Sequence, residues 1–252
     1  MIRESLADTR TALARVDPRF RVVLAIAFSV VVALSRAMDV QLVALGIAGG
    51  LYLGAGLPLR VLVRRLVVVN GFIAFLWLVL PFSVPGPVVL DVGFLQASSP
   101  GIMHALQITL KANAIIIVCM ALVATMSVII LGNALQSLGV PPKICQLLLM
   151  TYRYIFVFEE ESGRMHRAAV LRGFTPTTSM HTYRTYAYMV GMILVRAWER
   201  ARRVHAAMIC RGFRGRLYGL TTYRAVAGDW LFFACGAVVI VLLGILELAG
   251  CS

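Results

Sequence analysis

Apolar positions along this chain come in long blocks separated by short polar breaks. Phe20–Leu34, Val40–Leu57, Val61–Pro81, Ile102–Leu131 and Trp230–Leu248 are each almost wholly apolar. A helix that crosses a bilayer needs ~20 such residues, so the pattern predicts five spans. The first is a little short without its flanking residues. The fourth is long enough to tilt or kink. A tight Ser-Arg-Ala-Met-Asp turn separates the first two. Phe82–Pro100, with Pro85, Gly86, Pro87, Ser98, Ser99 and Pro100, has the chemistry of a loop.

The pattern changes after residue 131. Residues 132–227 are too long for a connection and too structured for a linker. Gly139-Val140-Pro141-Pro142 marks a turn and a helix start. Lys143 to about Leu171 then reads as a helix that begins apolar (Ile144, Leu147, Leu148, Leu149) and turns charged (Glu159, Glu160, Glu161, Arg164, Arg167). Thr175-Pro176 breaks it. A second helix is predicted from about Tyr183 to Cys210, apolar at first and basic later (Arg196, Arg200, Arg202, Arg203). A segment that passes from apolar to basic suits a helix leaving the membrane interface or lying along it. The chain thus divides into residues 1–131 (an N-terminal cytoplasmic segment and spans one to four), 132–227 (a cytoplasmic helical module) and 228–252 (the last span). The expected fold is an all-α membrane protein with about five transmembrane helices.

Composition supports that class. The 252 residues are 60% hydrophobic, where a soluble domain has ~45–50%. Mean hydropathy is +0.88. Charged residues are only 14%, yet the net charge is +13. The excess is arginine placed between and after apolar runs, the pattern of cytoplasmic loops rather than of a nucleic-acid surface. Five arginines lie in the first 21 residues, Arg60, Arg64 and Arg65 in the second connection, and 14 Lys/Arg between Gly132 and Arg224. The first external turn has only Arg36, and Phe82–Pro100 has neither Lys nor Arg. The positive-inside rule then puts the N-terminus in the cytoplasm and the C-terminus outside. No cleavable signal is expected, because the first apolar run continues smoothly into a span.

Several chemistries are missing. Only two lysines exist, Lys111 and Lys143, and no G-x-x-x-x-G-K-[ST] motif is present. His104, His166, His181 and His205 are scattered without ligand spacing. Cys119, Cys145, Cys210, Cys235 and Cys251 form no CxxC pair. No metal site of the chain's own is expected, nor a catalytic centre. Acidic residues are nearly absent from the spans, which argues against an ion relay. Asn70, Lys111, Asn113 and Glu247 read as helix-contact, snorkelling or interfacial residues. Gly46, Gly50 and Gly54 in span two form a small-residue stripe that would let another helix approach closely.

One pattern occurs twice. Ala168-Ala169-Val170-Leu171-Arg172-Gly173-Phe174 returns as Ala207-Met208-Ile209-Cys210-Arg211-Gly212-Phe213. Both read Ala-x-x-x-Arg-Gly-Phe. Residues i and i+4 share a helix face, and Gly directly after a helix is the usual left-handed stop. Each copy therefore reads as a helix end that presents one arginine. Each arginine could merely cap its own helix, worth ~0.3–1 kcal/mol; two copies in matching context argue for more.

This paired motif before a last span resembles the T component of energy-coupling factor (ECF) transporters, ABC-type importers of vitamins and transition metal ions. Leu13-Ala14-Arg15-Val16-Asp17-Pro18-Arg19 resembles that family's N-terminal segment. Leu80-Pro81-Phe82, followed by Pro85-Gly86, is similar to the cobalt branch, the CbiQ-type subunits. The resemblance covers essentially the whole chain. It implies a non-catalytic scaffold in a bacterial inner membrane, coupled to two cytoplasmic ABC-type ATPase subunits. A separate substrate-binding membrane subunit, the S component (CbiM-like here), would capture the ion. It implies no cofactor on this chain, with ATP and magnesium on the ATPases. The coupling residues carried over are Ala168, Arg172 and Gly173, and Ala207, Arg211 and Gly212. An adjacent alanine in each copy, Ala169 and Ala206, leaves the alanine register open by one. Cobalt and nickel are not separated at this subunit. A T component for a vitamin such as biotin, and a non-transport scaffold holding a cytoplasmic partner, are the alternatives. A membrane-embedded enzyme would need converging His or carboxylates, and a stand-alone secondary transporter would need repeated halves; neither is seen.

Overall fold

Asp17-Pro18 starts the first helix with side-chain chemistry. The Asp17 carboxylate accepts the backbone N–H of Arg19 at 2.9 Å, and Pro18 occupies the first helical position, where no N–H is needed. The computed structural model describes residues 16–83, 88–92, 95–215 and 226–250. Leu13–Arg15, Pro85–Pro87, Arg216, Arg224, Cys251 and Ser252, which figure in the readings above, lie outside them.

The described chain is helical, with one short hairpin. Its elements are α1 (Pro18–Leu34), α2 (Met38–Gly54), α3 (Leu59–Ser83), β1 (Val88–Val92), β2 (Leu95–Ser98), α4 (Ser99–Leu122), α5 (Val128–Ser137), α6 (Pro142–Leu171), α7 (Met180–Cys210) and α8 (Ala227–Gly250). They form two compact units. Of the described residues, those up to 127 and from 226 on make one, and those from 128 to 215 make the other. The sequence reading put the corresponding boundaries at 132 and 228.

In the membrane-spanning unit α4 is central, packing on α1, α2 and α3, while α8 lies on α1. Small side chains let the helices close up: Ala25, Ala44, Ala48, Ala114 and Ala121 sit in a core with Phe28, Val32, Val40, Tyr52 and Val118. Phe20 packs its ring against Trp230 and Phe233, with centroids 5.1 and 4.9 Å away. α3, α4 and α8 are each long and apolar enough to cross a bilayer. α3 and α8 leave most of their apolar side chains uncovered, as lipid-facing helices do.

Polar groups in this unit tie helix ends together. Asp229, near the start of α8, accepts the N–H groups of Val226 and of Asp17. Glu247, toward the other end of α8, accepts the N–H groups of Arg36 and Ala37 ahead of α2, and Lys111 donates to the Ala33 carbonyl at the end of α1 (3.0 Å). Anions at helix starts and cations at helix ends complement the helix dipole.

Two sequence expectations change. Ile102–Leu131 is not one helix. It breaks at Val123–Ser127, and α5 packs on α6 within the other unit. No Gly or Pro marks the break. The Thr125 hydroxyl bonds back to the Ala121 carbonyl at 3.0 Å, and the buried Arg21 guanidinium donates to that same hydroxyl. Such back-bonding competes with the backbone ladder. Phe82–Pro100, expected as plain loop, contains the antiparallel β1–β2 hairpin, with Val92 paired to Leu95.

Candidate functional site

The two Ala-x-x-x-Arg-Gly-Phe segments adopt the same helix-ending geometry. In the first, Arg172 is the C-cap of α6, Gly173 takes φ +83°, and its N–H donates to the Val170 carbonyl (3.0 Å). The Phe174 N–H reaches back to the Ala169 carbonyl (3.1 Å). In the second, Arg211 caps α7, Gly212 takes φ +79°, and the bonds run Gly212 to Ile209 (2.9 Å) and Phe213 to Met208 (3.0 Å). Both are Schellman motifs, in which a left-handed residue turns the chain back onto the last turn. Glycine is required there because a Cβ at positive φ costs ~1–2 kcal/mol.

The shared cap gives shared exposure. Arg172 and Arg211 are exposed, as are Ala168 and Ala207 one turn behind them, while Phe174 and Phe213 are half-buried. Phe174 holds its end by an edge-to-face contact with Tyr186 (centroids 5.6 Å). Among the described residues, neither arginine meets a carboxylate. Leu171 beside Arg172 is 88% exposed, and Ile209 beside Arg211 is 56% exposed. Each tip therefore couples an unpaired guanidinium to bare apolar surface. A guanidinium in that state binds a carboxylate bidentately when one is offered.

α6 and α7 run antiparallel. The start of α6 (Leu147, Met150) faces the end of α7 (Val204, Met208) across one groove, and the end of α6 (Ala168, Arg172) faces the start of α7 (Thr185, Tyr188) across another. The crossing point is Glu161, which pairs with Arg164 on its own helix and with Arg196 on α7. The Arg164 hydrogen bond, then that of Arg196, holds the Glu161 carboxyl below its ordinary pKa, and Glu161 raises that of Arg164. The two motif arginines thus lie at opposite ends of the pair. At ~1.5 Å per residue, the 11 residues from Glu161 to Arg172 and the 15 from Arg196 to Arg211 set them at most roughly 40 Å apart.

The glycine stripe belongs to the membrane-spanning unit and the motif residues to the α5–α7 unit. Gly46, Gly50 and Gly54 would meet nothing within 4 Å if given a Cβ. α2 instead buries the face with Val40, Ala44, Ala48 and Tyr52. Among the described residues nothing packs on the stripe, which leaves it open to lipid or to another subunit. Among the described residues, no three His, Cys, Asp or Glu side chains converge. Sequence reasoning missed the Glu161–Arg196 crossing, since nothing at 35 residues' separation marks which arginine an acidic run will meet. It also did not use the motif phenylalanines, although their repetition was visible.

Known proteins with related sequences agree in class. Residues 9–223 match the CbiQ family, described as cobalt transport protein. The cobalt transport protein CbiQ of Rhodobacter capsulatus is 27% identical over 186 residues, covering 74% of this chain and 73% of that one. The energy-coupling factor transporter transmembrane protein EcfT of Bacillus subtilis is 24% identical over 221 residues, 83% of each chain. A putative fused cobalt transport protein CbiMQ of Methanocorpusculum labreanum is 29% identical over 85 residues, 34% of this chain and 14% of that one. With a multi-pass helical fold and two arginine-bearing caps already in view, the match over most of its length shows that this chain belongs to the CbiQ cobalt transport family, as the transmembrane component of an ECF-type transporter.

Proposed function

We propose that this chain transmits ATP hydrolysis in two cytoplasmic ABC-type ATPase subunits to a separate membrane subunit that holds a transition metal ion, cobalt or nickel. The observation that carries this reading is the pair of equivalent arginine caps at opposite ends of one exposed antiparallel helix pair. One tip would serve each ATPase, with Arg172 and Arg211 bound to acidic positions, and Ala168 and Ala207 leaving room for the approach. ATP and magnesium would sit on the ATPases, and this chain would supply no catalysis. The cobalt name of the family, and a relative fused to a CbiM part, support an ion substrate and a CbiM-like S component.

The placement of arginines supports an N-terminus in the cytoplasm of a bacterial inner membrane. Ser99, exposed at the start of α4, would then be reached by membrane-impermeant label from outside, in a cysteine-free background, and Ser179 would not. The deciding experiment is co-purification from mild detergent. The wild-type chain should bring down an ATPase and a second membrane subunit, and Arg172→Ala with Arg211→Ala should release the ATPase while retaining insertion. Undiminished ATPase recovery with the double variant would overturn the coupling role.

A further inference from the structure

α3 begins with an electrostatic conflict. Arg60, Arg64 and Arg65 fall in its first two turns, and no acidic residue lies in the first turn. A helix start carries partial positive charge and free N–H groups, so cations there are unfavourable and an anion is favoured. Among the described residues none of the three arginines meets a carboxylate. All three line one open groove of about 830 Å³ between α3 and α4. Beyond them the groove turns apolar: Val68 on α3 and Ile116 and Met120 on α4 form its walls, and no acidic residue lines it. α3 is itself a helix of membrane-crossing length, so the arginines stand where an apolar helix meets its polar flank.

We propose that this groove is a binding site for an anionic phospholipid, whose phosphate sits among Arg60, Arg64 and Arg65 and whose acyl chain lies between α3 and α4 along Val68, Ile116 and Met120. Charge and shape select this occupant together. A free anion would satisfy the arginines and leave the apolar wall bare. A zwitterionic lipid would fill the wall and bring its own cation to the arginines. A lipid with net negative charge matches both ends, as basic pockets beside membrane helices do. The site is independent of whether the chain couples an ATPase.

The test is native mass spectrometry of the transporter purified in mild detergent, titrated with phosphatidylglycerol or phosphatidylcholine of identical acyl chains. The wild type should retain phosphatidylglycerol preferentially. Arg64→Gln with Arg65→Gln should abolish the preference, a loss in affinity of roughly fivefold per arginine. Ile116→Trp, which narrows the apolar part and leaves the arginines in place, should lower occupancy by both lipids. If the glutamine variant does not fold, Ile116→Trp decides alone. Equal retention of the two lipids by wild type, an unchanged preference in the glutamine variant, or unchanged occupancy in Ile116→Trp would each overturn the proposal. So would displacement of the lipid by inorganic phosphate at equal concentration, which would leave an anion site only.

Discussion

The membrane-spanning unit and the α5–α7 unit use the same amino acids in opposite ways. In the first, four acidic and basic side chains close helix ends: Asp17 and Asp229 at one end of α1 and α8, Glu247 and Lys111 at the other. Its buried core is mostly Ala, Leu and Val. In the second, α6 and α7 are 30 and 31 residues long. Yet α6 buries only Cys145 and Glu161, and α7 only Thr182. A helix pair with so little core relies on what covers it, since most helical stability in proteins comes from tertiary packing. The first unit has a packed core of its own. The second buries few of its side chains.

The contrast breaks most visibly at the arginine tips. Arg172→Ala with Arg211→Ala should leave folding intact and abolish uptake, because removing one member of a desolvated charge pair costs ~2–5 kcal/mol per contact. Transport assays at matched expression measure this. Lysine at both positions should rescue only in part, since the planar fork is lost. A stable protein with full uptake in the double alanine variant would erase the distinction between the units.

A glycine in each unit sharpens it. A Cβ at Gly101 would lie 2.7 Å from the Leu80 carbonyl oxygen and 2.8 Å from the Pro81 Cα, backbone atoms that cannot rotate aside. Gly101→Ala should therefore cost the α3–α4 packing ~1–3 kcal/mol, read as a lower unfolding temperature in detergent. Gly173→Ala and Gly212→Ala meet no neighbour but force positive φ, at ~1–2 kcal/mol each. Those two should redirect the helix ends and weaken partner attachment without lowering that unfolding temperature.

Open glycines on α2 offer a finer test. Gly50→Ala meets nothing within 4 Å and adds helix propensity, so the isolated chain should gain ~0.5–1 kcal/mol. If another subunit packs on the stripe, the same change should reduce recovery of the complex while the chain alone stays stabilised.

The smallest effect is on the α6–α7 crossing. Hydrogen bonds from Arg164 and Arg196 depress the Glu161 pKa. A depressed carboxylate contributes stability that is present above its ordinary value, ~4.3, and lost as pH falls through the lower folded value. Spin labels at Ser162 and Leu194, in a cysteine-free background, should hold a constant separation from pH 8 to 5. The separation should broaden only as pH falls below the ordinary carboxylate range, through the lower folded value. Glu161→Gln should broaden it at every pH.

Local chemistry explains what could be read in advance. α6 and α7 were legible to within a few residues, because Pro141-Pro142 and the Arg-Gly-Phe stops act on the backbone directly. The apolar blocks correspond to α1, α2, α3, α4 and α8, of which α3, α4 and α8 are long and apolar enough to cross a bilayer. The α4–α5 break was illegible because its cause is tertiary: Thr125 meets Arg21 from a helix 104 residues away. The direction of the glycine stripe was equally hidden. Small residues permit close approach on a face, but which face of α2 is covered depends on α4, whose position no local pattern records. The motif's geometry was legible, whereas the Glu161 crossing that sets the two tips apart was not.

An antiparallel pair that ends twice in the same cap has an approximate dyad through its middle, near Glu161 and Arg196. Turning α6 and α7 by half a revolution about that axis exchanges Arg172 with Arg211. A partner that is itself two-fold symmetric would find the same chemistry at both of its halves, at a spacing set by helix length rather than by loops. The membrane-spanning helices carry no such duplication.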